Sequence, residues 1–551
     1  MISRTLLRNM NNKVVYISDF FASDVLGGAE LNDEELLKML TIDGYEVNKI
    51  RSHNVSLDFL NANKDCFFIV SNFINLNKDC LDNLIDLEYI IYEHDHKYLK
   101  KRNPAFYKNF KAPLCEVVNF FFYKNAKKII CQSNFHKQII EKNLKLKNII
   151  SVGGNLWSDQ VLLKIKEFSK NKKENKFSIL DSNIAHKNTA GCVGFCLKRK
   201  NNYELIKNPN YISFLQSLSK NEKFIFLPKS PETLSRVVVE ARMLGCKVIA
   251  NQMVGATQEN WFSLKGEELV DFFFDKKKEI LKTIKDIITQ PRLNVKRPKI
   301  SILSTFYKAE EFLEGFLEDI TNQTIFDECE WIIIDTGSPG REQEMIKPYC
   351  EKYKNINYTR FDDRMLSTKC FNMGMMNCNS KYITWAMPDD RKSEDYLEVL
   401  YNELKNNKEI DLAYGDCIVT SVKNEKLANT KSKKLSEHSK MQFSRENMIK
   451  CLPGPMPMWT SRMINTVGFF DDVSRDFTDD WELWLRSVDA GLKFKKVDKI
   501  VGLFWNGGRS QQKNNLKQRK EEAKLFFKYK HIFGKNYQTY YPYFKQFMDL
   551  I

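Results

Sequence analysis

Three clusters of acidic side chains dominate the second half of this chain. They are Asp335 in Ile-Asp-Thr-Gly-Ser, the pair Asp389 and Asp390 in Met-Pro-Asp-Asp-Arg, and the pair Asp479 and Asp480 in Thr-Asp-Asp-Trp-Glu. Because adjacent carboxylates repel unless a cation neutralises them, a hard divalent metal explains the middle pair most simply. A metal held by one or two carboxylates, with its other positions open, suits a diphosphate leaving group.

Apolar runs come directly before the first two clusters. The run from Trp331 to Ile334 leads into Asp335, and the run from Tyr382 to Met387 leads into the middle pair. Both runs predict buried strands. Carboxylates at the carboxyl ends of strands lie where open sheets bind ligands, so we expect these two clusters to meet at one edge of a sheet.

Residues 299 to about 510 resemble family 2 glycosyltransferases, which have the GT-A fold. The resemblance follows the segment in order, and the order and spacing of its runs are more specific than any single run. The runs are Ile300-Ser-Ile-Leu-Ser-Thr-Phe-Tyr, Ile332-Ile-Ile-Asp-Thr-Gly-Ser, Lys369-Cys-Phe-Asn-Met-Gly, Tyr382-Ile-Thr-Trp-Ala-Met-Pro-Asp-Asp, Val467-Gly-Phe-Phe-Asp and Asp479-Asp-Trp-Glu-Leu-Trp-Leu-Arg.

The resemblance implies a donor site for a nucleotide-diphosphate sugar. Asp335, helped by Thr305 and Tyr307, would bind the uracil or the ribose. Asp390 would hold Mn²⁺ or Mg²⁺ on the diphosphate, and Asp389 would lie nearer the ribose. The metal would offset the charge that develops on the leaving nucleoside diphosphate.

Thr478-Asp-Asp resembles the family's Thr-Glu-Asp signature, whose second acid is the general base. This implies that Asp480, beside Asp479, deprotonates an acceptor hydroxyl in a one-step inverting displacement. Such a carboxylate works best with a raised pKa, which the neighbouring acids and the apolar Trp481 and Trp484 would favour.

Structural roles compete with each of these assignments. The middle pair could cap a following helix, and Asp480 could cap the helix that carries Trp484. Asp335, before Thr-Gly-Ser, could be a turn acid. The spacing of Trp481 and Trp484 favours a packed helix face over a sugar platform.

Residues 13 to 290 alternate strand and helix signals, such as the strand from Val14 to Ser18 and the helix from Leu31 to Leu40. This alternation predicts parallel sheets. The segment resembles the GT-B fold of family 4 glycosyltransferases, two facing Rossmann-like domains. The resemblance rests on Gly27-Gly-Ala-Glu between a strand and a helix, and on Glu232 and Glu240 in a Glu-x7-Glu pattern.

The second resemblance implies five roles. It places Gly27 and Gly28 beside a phosphate, Glu240 on the donor ribose, Glu232 near the donor sugar, His94 beside the reacting sugar, and Lys200 on the diphosphate. A tight turn at the glycines, a surface loop at His94 and a metal at His94-Asp-His are the alternatives. Because the second lobe is shortened, the first half is either a second transferase or a module that only binds nucleotide or glycan.

The expected fold class is α/β, with a two-lobed GT-B-type unit followed by a GT-A-type domain. The predicted boundaries are 1–165 and 166–290 for the two lobes, 291–298 for a linker, 299–510 for the second domain and 511–551 for a helical tail. The lysine-rich stretch from Lys164 to Lys176 predicts a solvated connection between the lobes.

The bulk composition narrows the choice of partners. The chain has 551 residues and a net charge of +16, which favours anionic partners, but no basic stretch carries a recognisable nucleic-acid module, so we do not expect nucleic acid. The 13 cysteines contain no Cys-x-x-Cys, which argues against zinc. With neither a signal-type apolar core nor a membrane-length apolar run, we expect a cytoplasmic protein.

The tail mixes aromatic side chains with lysine, as in Phe526-Phe-Lys-Tyr-Lys-His-Ile-Phe. That composition suits peripheral contact with the inner face of an anionic membrane, where lipid-linked acceptors reside. Packing onto the catalytic domain is the alternative. The whole pattern predicts a glycosyltransferase of surface-polysaccharide assembly that uses a glycan or lipid-linked acceptor.

Overall fold

The structure is a computed structural model that describes residues 12–291, 296–473, 477–508 and 516–550. The described chain divides into two compact units. The first comprises residues 12–112 and 121–291, and the second comprises residues 113–120 together with everything from 296 onward.

The first unit contains two parallel sheets. The six-stranded sheet has the order β2-β1-β3-β4-β5-β6, and the four-stranded sheet has the order β10-β9-β7-β8. The strands are β1 (Lys13–Ser18), β2 (Glu46–Arg51), β3 (Phe67–Val70), β4 (Glu88–Tyr92), β5 (Ile129–Cys131), β6 (Ile149–Ser151), β7 (Glu174–Leu180), β8 (Tyr203–Ile206), β9 (Asn221–Phe226) and β10 (Lys247–Ala250).

Helices connect these strands, as parallel pairing requires. The helices of the first unit are α1 (Gly28–Ile42), α2 (Leu57–Ala62), α3 (Lys78–Leu84), α4 (Phe120–Asn125), α5 (Asn134–Leu144), α6 (Asp159–Phe168), α7 (Thr189–Lys198), α8 (Tyr211–Ser219), α9 (Arg236–Met243) and α10 (Glu267–Thr289). The predicted α/β class with parallel sheets is confirmed, because buried apolar runs such as Phe67–Val70 admit no solvent-facing side.

The strand order of each sheet reverses once, between β1 and β3 and between β7 and β9. Ligand crevices in such sheets form outside the carboxyl ends of the strands at these reversals. The predicted solvated connection from Lys164 to Lys176 is right only in part, because the stretch also includes the end of α6 and the beginning of β7. Leu162, Ile165 and Phe168 recur on one buried face of α6, so the lysines there occupy only its outer face.

The second unit is built on one mixed sheet of eight strands in the order β13-β12-β11-β14-β17-β16-β18-β15. The first four are parallel, and β14 pairs antiparallel with β17. Its strands are β11 (Ile300–Phe306), β12 (Glu330–Thr336), β13 (Ile356–Phe361), β14 (Tyr382–Trp385), β15 (Arg391–Lys392), β16 (Leu412–Thr420), β17 (Pro457–Thr460) and β18 (Phe494–Trp505).

The second unit also contains eight α-helices among its described residues, and the last two form the tail. They are α11 (Glu310–Thr321), α12 (Glu342–Lys352), α13 (Ser367–Asn377), α14 (Tyr396–Asn406), α15 (Ser461–Val467), α16 (Asp479–Asp489), α17 (Leu516–Lys528) and α18 (Gly534–Met548). Strand β11 lies between β12 and β14, so the carboxyl ends of these three parallel strands share one edge of the sheet.

The tail forms a helical hairpin of α17 and α18. The ring of Phe526 stacks on Phe533, Tyr537 and Phe544, with centroids 5.6, 4.8 and 4.4 Å away. Much of the aromatic composition of the tail is therefore packed inside the protein. In the part of the chain that is described, no helix is both long enough and apolar enough to cross a membrane.

Candidate functional site

Asp335 lies at the carboxyl end of β12 and is fully buried. One carboxylate oxygen accepts a hydrogen bond from the backbone N–H of Ser338 at 2.9 Å, and the other accepts one from the hydroxyl of Tyr358 at 2.8 Å. The guanidinium of Arg360 is 3.5 Å away. These three partners fix the carboxylate in one orientation, which goes beyond what a turn acid requires.

Removing the hydroxyl of Tyr358 is expected to weaken donor binding. Tyr358→Phe deletes one charge-assisted bond worth roughly 1 kcal/mol while Ser338 and Arg360 remain, so we expect KM for the donor to rise about fivefold with little change in kcat. Steady-state kinetics over a range of donor concentrations measures this. Tyr353→Phe, outside the site, is the matched control, and an unchanged KM in Tyr358→Phe would contradict the assignment of Asp335.

Thr305 and Tyr307 lie at the carboxyl end of the neighbouring strand, β11. Phe306 pairs with Asp335 across β11 and β12, so its two neighbours reach the same edge of the sheet. Thr305 is buried, and the guanidinium of Arg364 lies 4.7 Å from the ring of Tyr307. The three predicted donor-binding residues therefore lie at the same edge of the sheet.

Asp389 and Asp390 follow β14 at this same edge. Asp390 is 3% exposed and accepts a hydrogen bond from the backbone N–H of Trp505 at 3.2 Å. Burial, and then the charge of Asp389, raise the pKa of Asp390 to about 7. Burial also raises the pKa of Asp389. The amine of Lys392 bonds to the backbone oxygen of Asp390 at 3.3 Å.

The capping alternative for this pair is wrong. Arg391 and Lys392 form strand β15, and the next helix, α14, begins only at Tyr396. The next helix starts too far along the chain for these carboxylates to cap it, and the positive charges of Lys392 and Arg391 act on them instead.

The pair fits a divalent cation of the kind that phosphate-transfer and sugar-transfer sites use. Among the described residues, no three His, Cys, Asp or Glu side chains form a group that could hold a metal alone. Two carboxylates with the remaining positions left for water and phosphate oxygens match the way Mg²⁺ is commonly bound. Because burial raises the pKa of both carboxyl groups, a bound cation would stabilise their charged forms.

Asp479 and Asp480 occupy the first turn of α16. Asp479 accepts a hydrogen bond from the hydroxyl of Thr368 at 2.8 Å, and the thiol of Cys451 lies 3.6 Å from Asp480. Burial, and then Asp479, raise the pKa of Asp480 to about 7. A carboxyl group with that pKa can take up a proton near neutral pH.

Asp480 also has part of the helix-capping role that was given as the alternative to catalysis. Its Oδ1 accepts a hydrogen bond from the backbone N–H of Trp481 at 2.6 Å, so it helps to satisfy the helix N-terminus. Its Oδ2 faces only the thiol among the hydrogen bonds described for it. A role in capping therefore leaves one oxygen for chemistry.

The strand that precedes the first acidic pair and the helix that carries the second are in contact through two tryptophan rings. Trp385 ends β14 and Trp484 lies on α16, with ring centroids 5.6 Å apart. Asp389 comes four residues after the first ring, and Asp480 comes four residues before the second. The packed-face interpretation of Trp481 and Trp484 is confirmed, because both are buried.

His94 follows β4 in the first unit and has both ring nitrogens bonded. Its Nε2 donates to Asp33 at 2.7 Å, and the side-chain amide of Gln132 donates to its Nδ1. His96 turns away and contacts Tyr98. The two histidines of His-Asp-His do not face one point, so the metal alternative for this motif is wrong.

Glu232 and Glu240 are also bonded within the protein. Lys187 donates to both oxygens of Glu232 at 2.9 Å. Glu240 is buried, and one of its oxygens accepts from Trp157 at 2.9 Å and from Tyr211 at 2.6 Å. Both glutamates lie on the carboxyl side of β9.

The remaining predicted site residues of the first unit lie at different ends of their strands. Gly27 and Gly28 begin α1 at the carboxyl end of β1, and a Cβ on Gly28 would lie 3.2 Å from the side chain of Arg236. Lys200 is exposed at the far end of α7, shortly before β8. That is the amino edge of the sheet, so the structure does not bring Lys200 together with Glu232.

Sequence reasoning missed several partners of the predicted residues. Tyr358 and Arg360 alternate on β13, and their spacing was a usable signal for one face of a strand. Thr368, Cys451 and Asp33 carry no comparable signal, since each meets its carboxylate or imidazole from a distant part of the chain.

Comparison with known proteins gives the class of the second unit. The sequence model of Glycosyl transferase family 2 matches residues 301–469. An uncharacterized glycosyltransferase of Methanocaldococcus jannaschii is 23% identical over 235 residues, which cover 42% of this chain and 78% of that protein. The minor teichoic acid biosynthesis protein GgaB of Bacillus subtilis is 32% identical over 115 residues, which cover 20% of this chain but 13% of GgaB.

A cholesterol galactosyltransferase of Borreliella burgdorferi is 32% identical over 111 residues, which cover 20% of this chain and 30% of that enzyme. Among solved structures, S. aureus TarS 1-349 in complex with UDP-GlcNAc has a TM-score of 0.34 and 12% identity, with 42% of this chain and 66% of that one covered. The second unit contains a family 2 glycosyltransferase domain, and the protein that carries it is a glycosyltransferase.

Proposed function

We propose that the second unit transfers a sugar from a nucleotide-diphosphate sugar to a glycan or lipid-linked acceptor, with inversion and with a divalent metal. This proposal is supported by Asp335 and the acidic pair, which follow β12 and β14 at one edge of the sheet, and by a carboxyl group with a pKa near neutrality on α16, whose Trp484 packs against Trp385 of β14.

The donor would lie across the carboxyl ends of β11, β12 and β14. Asp335, Thr305 and Tyr307 bind its nucleoside, and Asp389 lies toward the ribose. Asp390 would hold Mn²⁺ or Mg²⁺, which when bound supplies positive charge to the diphosphate as it leaves.

Asp480 acts on the acceptor. Its carboxylate takes the proton from an acceptor hydroxyl as that oxygen bonds to the anomeric carbon, while the bond from this carbon to the diphosphate breaks on the opposite face. Asp479, held by Thr368, keeps a second negative charge beside the base and so favours proton uptake. A single displacement of this kind inverts the anomeric configuration.

A panel of UDP- and GDP-sugars, incubated with Mn²⁺ or Mg²⁺ and with or without candidate acceptors, tests this function. We expect release of one nucleoside diphosphate to stand out, to require the metal and to give an inverted product. Metal-independent turnover, or retention of configuration, would overturn the proposal.

The natural acceptor is best sought among cell-surface polymers and lipids. Relatives of this chain include a teichoic acid biosynthesis protein and a cholesterol galactosyltransferase, whose names indicate acceptors of these two kinds. Action in the cytoplasm, at the inner face of the membrane, would place the site beside lipid-linked intermediates.

For the first unit we infer a family 4-like, GT-B-type arrangement that acts as a second transferase. Its support is the convergence of the glycines, His94 and the glutamates on the carboxyl edges of two parallel sheets. A non-catalytic module that binds nucleotide or glycan is the second candidate. It is favoured by the internal bonds of His94, Glu232 and Glu240, which leave these side chains already paired.

Replacing His94 or Glu240 by Ala distinguishes the two candidates. A second transferase predicts loss of one specific linkage, by roughly 100-fold in its rate, with the other linkage retained. Product analysis by mass spectrometry measures both linkages. Unchanged product composition in both folded variants would leave the binding module as the function of this unit.

A further inference from the structure

The C-terminal hairpin of α17 and α18 contacts the segment that carries the proposed base. The carboxylate of Glu521, on α17, accepts a hydrogen bond from the backbone N–H of Phe477 at 3.1 Å and from the hydroxyl of Thr478 at 3.3 Å. These two donors come directly before Asp479. Glu521 is 8% exposed, so both bonds are shielded from water.

The hairpin also contacts α16 itself, at residues that follow Asp480. The hydroxyl of Tyr529 donates to Glu482 at 3.0 Å, and the ring of Phe533 stacks on Trp481 at a centroid distance of 6.4 Å. Both partners on α16 are buried. The first turn of α16 is therefore held by hairpin side chains at residues before and after Asp480.

A third contact reaches the loop on the other side of the base. The side-chain amide of Asn536, on α18, donates to the backbone oxygen of Glu446 at 3.0 Å. The indole of Trp481 donates to the oxygen of Met448 at 2.7 Å, and Cys451 follows with its thiol on Asp480. The hairpin thus braces both segments that surround the carboxylate.

Resting on the proposed role of Asp480 as the base, we infer that Glu521 is a positioning residue for this reaction and that the hairpin is part of the catalytic apparatus. If the hairpin only covered an apolar surface, it would need no buried carboxylate against Phe477 and Thr478, which come directly before Asp479 and Asp480. Burial, and to a smaller extent the negative charge of Glu521, raise the pKa of Asp479.

Glu521→Gln keeps the shape of the side chain and removes its charge. We expect kcat to fall about tenfold, since a small misplacement of a reacting group is costly, while KM for the donor stays within about twofold. Because a nearby negative charge raises the pKa of a carboxyl group, its loss should move the acid limb of the kcat profile to lower pH. Glu521→Asp keeps the negative charge on a shorter side chain. We therefore expect the acid limb to return to its wild-type pH and kcat to recover only in part.

The assay uses the full chain and the sugar nucleotide that it hydrolyses fastest, with a thermal melt of every variant. Glu522→Gln, next along α17, is the matched control and should match wild type. An unchanged kcat and pH limb in folded Glu521→Gln would overturn the inference. If Glu521→Gln fails to fold, Tyr529→Phe is measured in its place. An unchanged kcat in that variant would also overturn the inference.

Asp480→Asn in the same assay separates this inference from the function on which it rests. If that variant keeps full activity, the base assignment fails and the role of Glu521 fails with it. If it is inactive while Glu521→Gln behaves as wild type, only the inference about the hairpin is overturned.

Discussion

Asp480→Asn is expected to lower kcat by about 1,000-fold, within the range that general-base catalysis contributes. The amide has nearly the shape of the carboxylate but cannot take a proton from the acceptor. It can still accept a hydrogen bond from Trp481, so the first turn of α16 should stay intact. Rates of nucleoside diphosphate release with a saturating donor measure the loss.

The pH profile provides a second test of the same residue. Burial and Asp479 raise the pKa of Asp480 to about 7, so the group is protonated and inactive below that pH. In wild type, kcat should therefore rise about tenfold per pH unit below 7 and level off above it. The Asn variant should lose this limb.

Asp286→Asn, on α10 of the first unit, removes an exposed acid that is no part of the proposed site. It should keep the wild-type rate and profile. A wild-type kcat in Asp480→Asn would assign the base to another group, and Asp479 would be the first to examine.

Asp390→Asn is expected to have the second largest effect, with turnover falling roughly 100-fold at a metal concentration that saturates wild type. The substitution removes the charge that would attract the cation, while Asp389 remains. Since affinity for the metal is lost, we expect excess Mn²⁺ to restore part of the rate. Titrating Mn²⁺ against turnover gives the half-saturating concentration for both proteins.

Calorimetric titration of Mn²⁺ into the protein with nucleoside diphosphate reports on the same site without catalysis. Binding should weaken in Asp390→Asn and stay unchanged in Asp395→Asn, a nearby surface acid whose partner is Lys499. Equal metal dependence of turnover and equal binding in wild type and Asp390→Asn would exclude this carboxyl as the metal ligand.

Local sequence was enough to predict much of the architecture. The strands leading into Asp335 and Asp389, and the alternation from Val14 onward, follow from runs of buried apolar residues with no solvent-facing side. Such runs are legible because burial on both faces of a parallel sheet leaves one simple pattern. The family 2 resemblance added the order of the acidic motifs.

Two predictions made from composition depended on information that only the tertiary structure gives. The lysines from Lys164 to Lys176 indicated solvent, but every third or fourth residue of α6 is apolar and buried, so the charge lies on one side only. The aromatic residues around Phe526 suggested a membrane surface, yet stacking against the facing helix buries many of them. Amino-acid composition gives the number of charged or aromatic side chains but not the direction in which each one points.

By itself, the sequence determined the class of the enzyme, the parallel sheets and the carboxylates of the proposed site, because motifs and strands are encoded in neighbouring residues. Only the tertiary structure decided what each carboxylate meets. Thr368 reaches Asp479 across 111 positions, and Glu521 reaches Thr478 across 43. Contacts at such separations depend on how whole elements pack, and that packing sets the burial which brings the pKa of Asp480 close to neutrality.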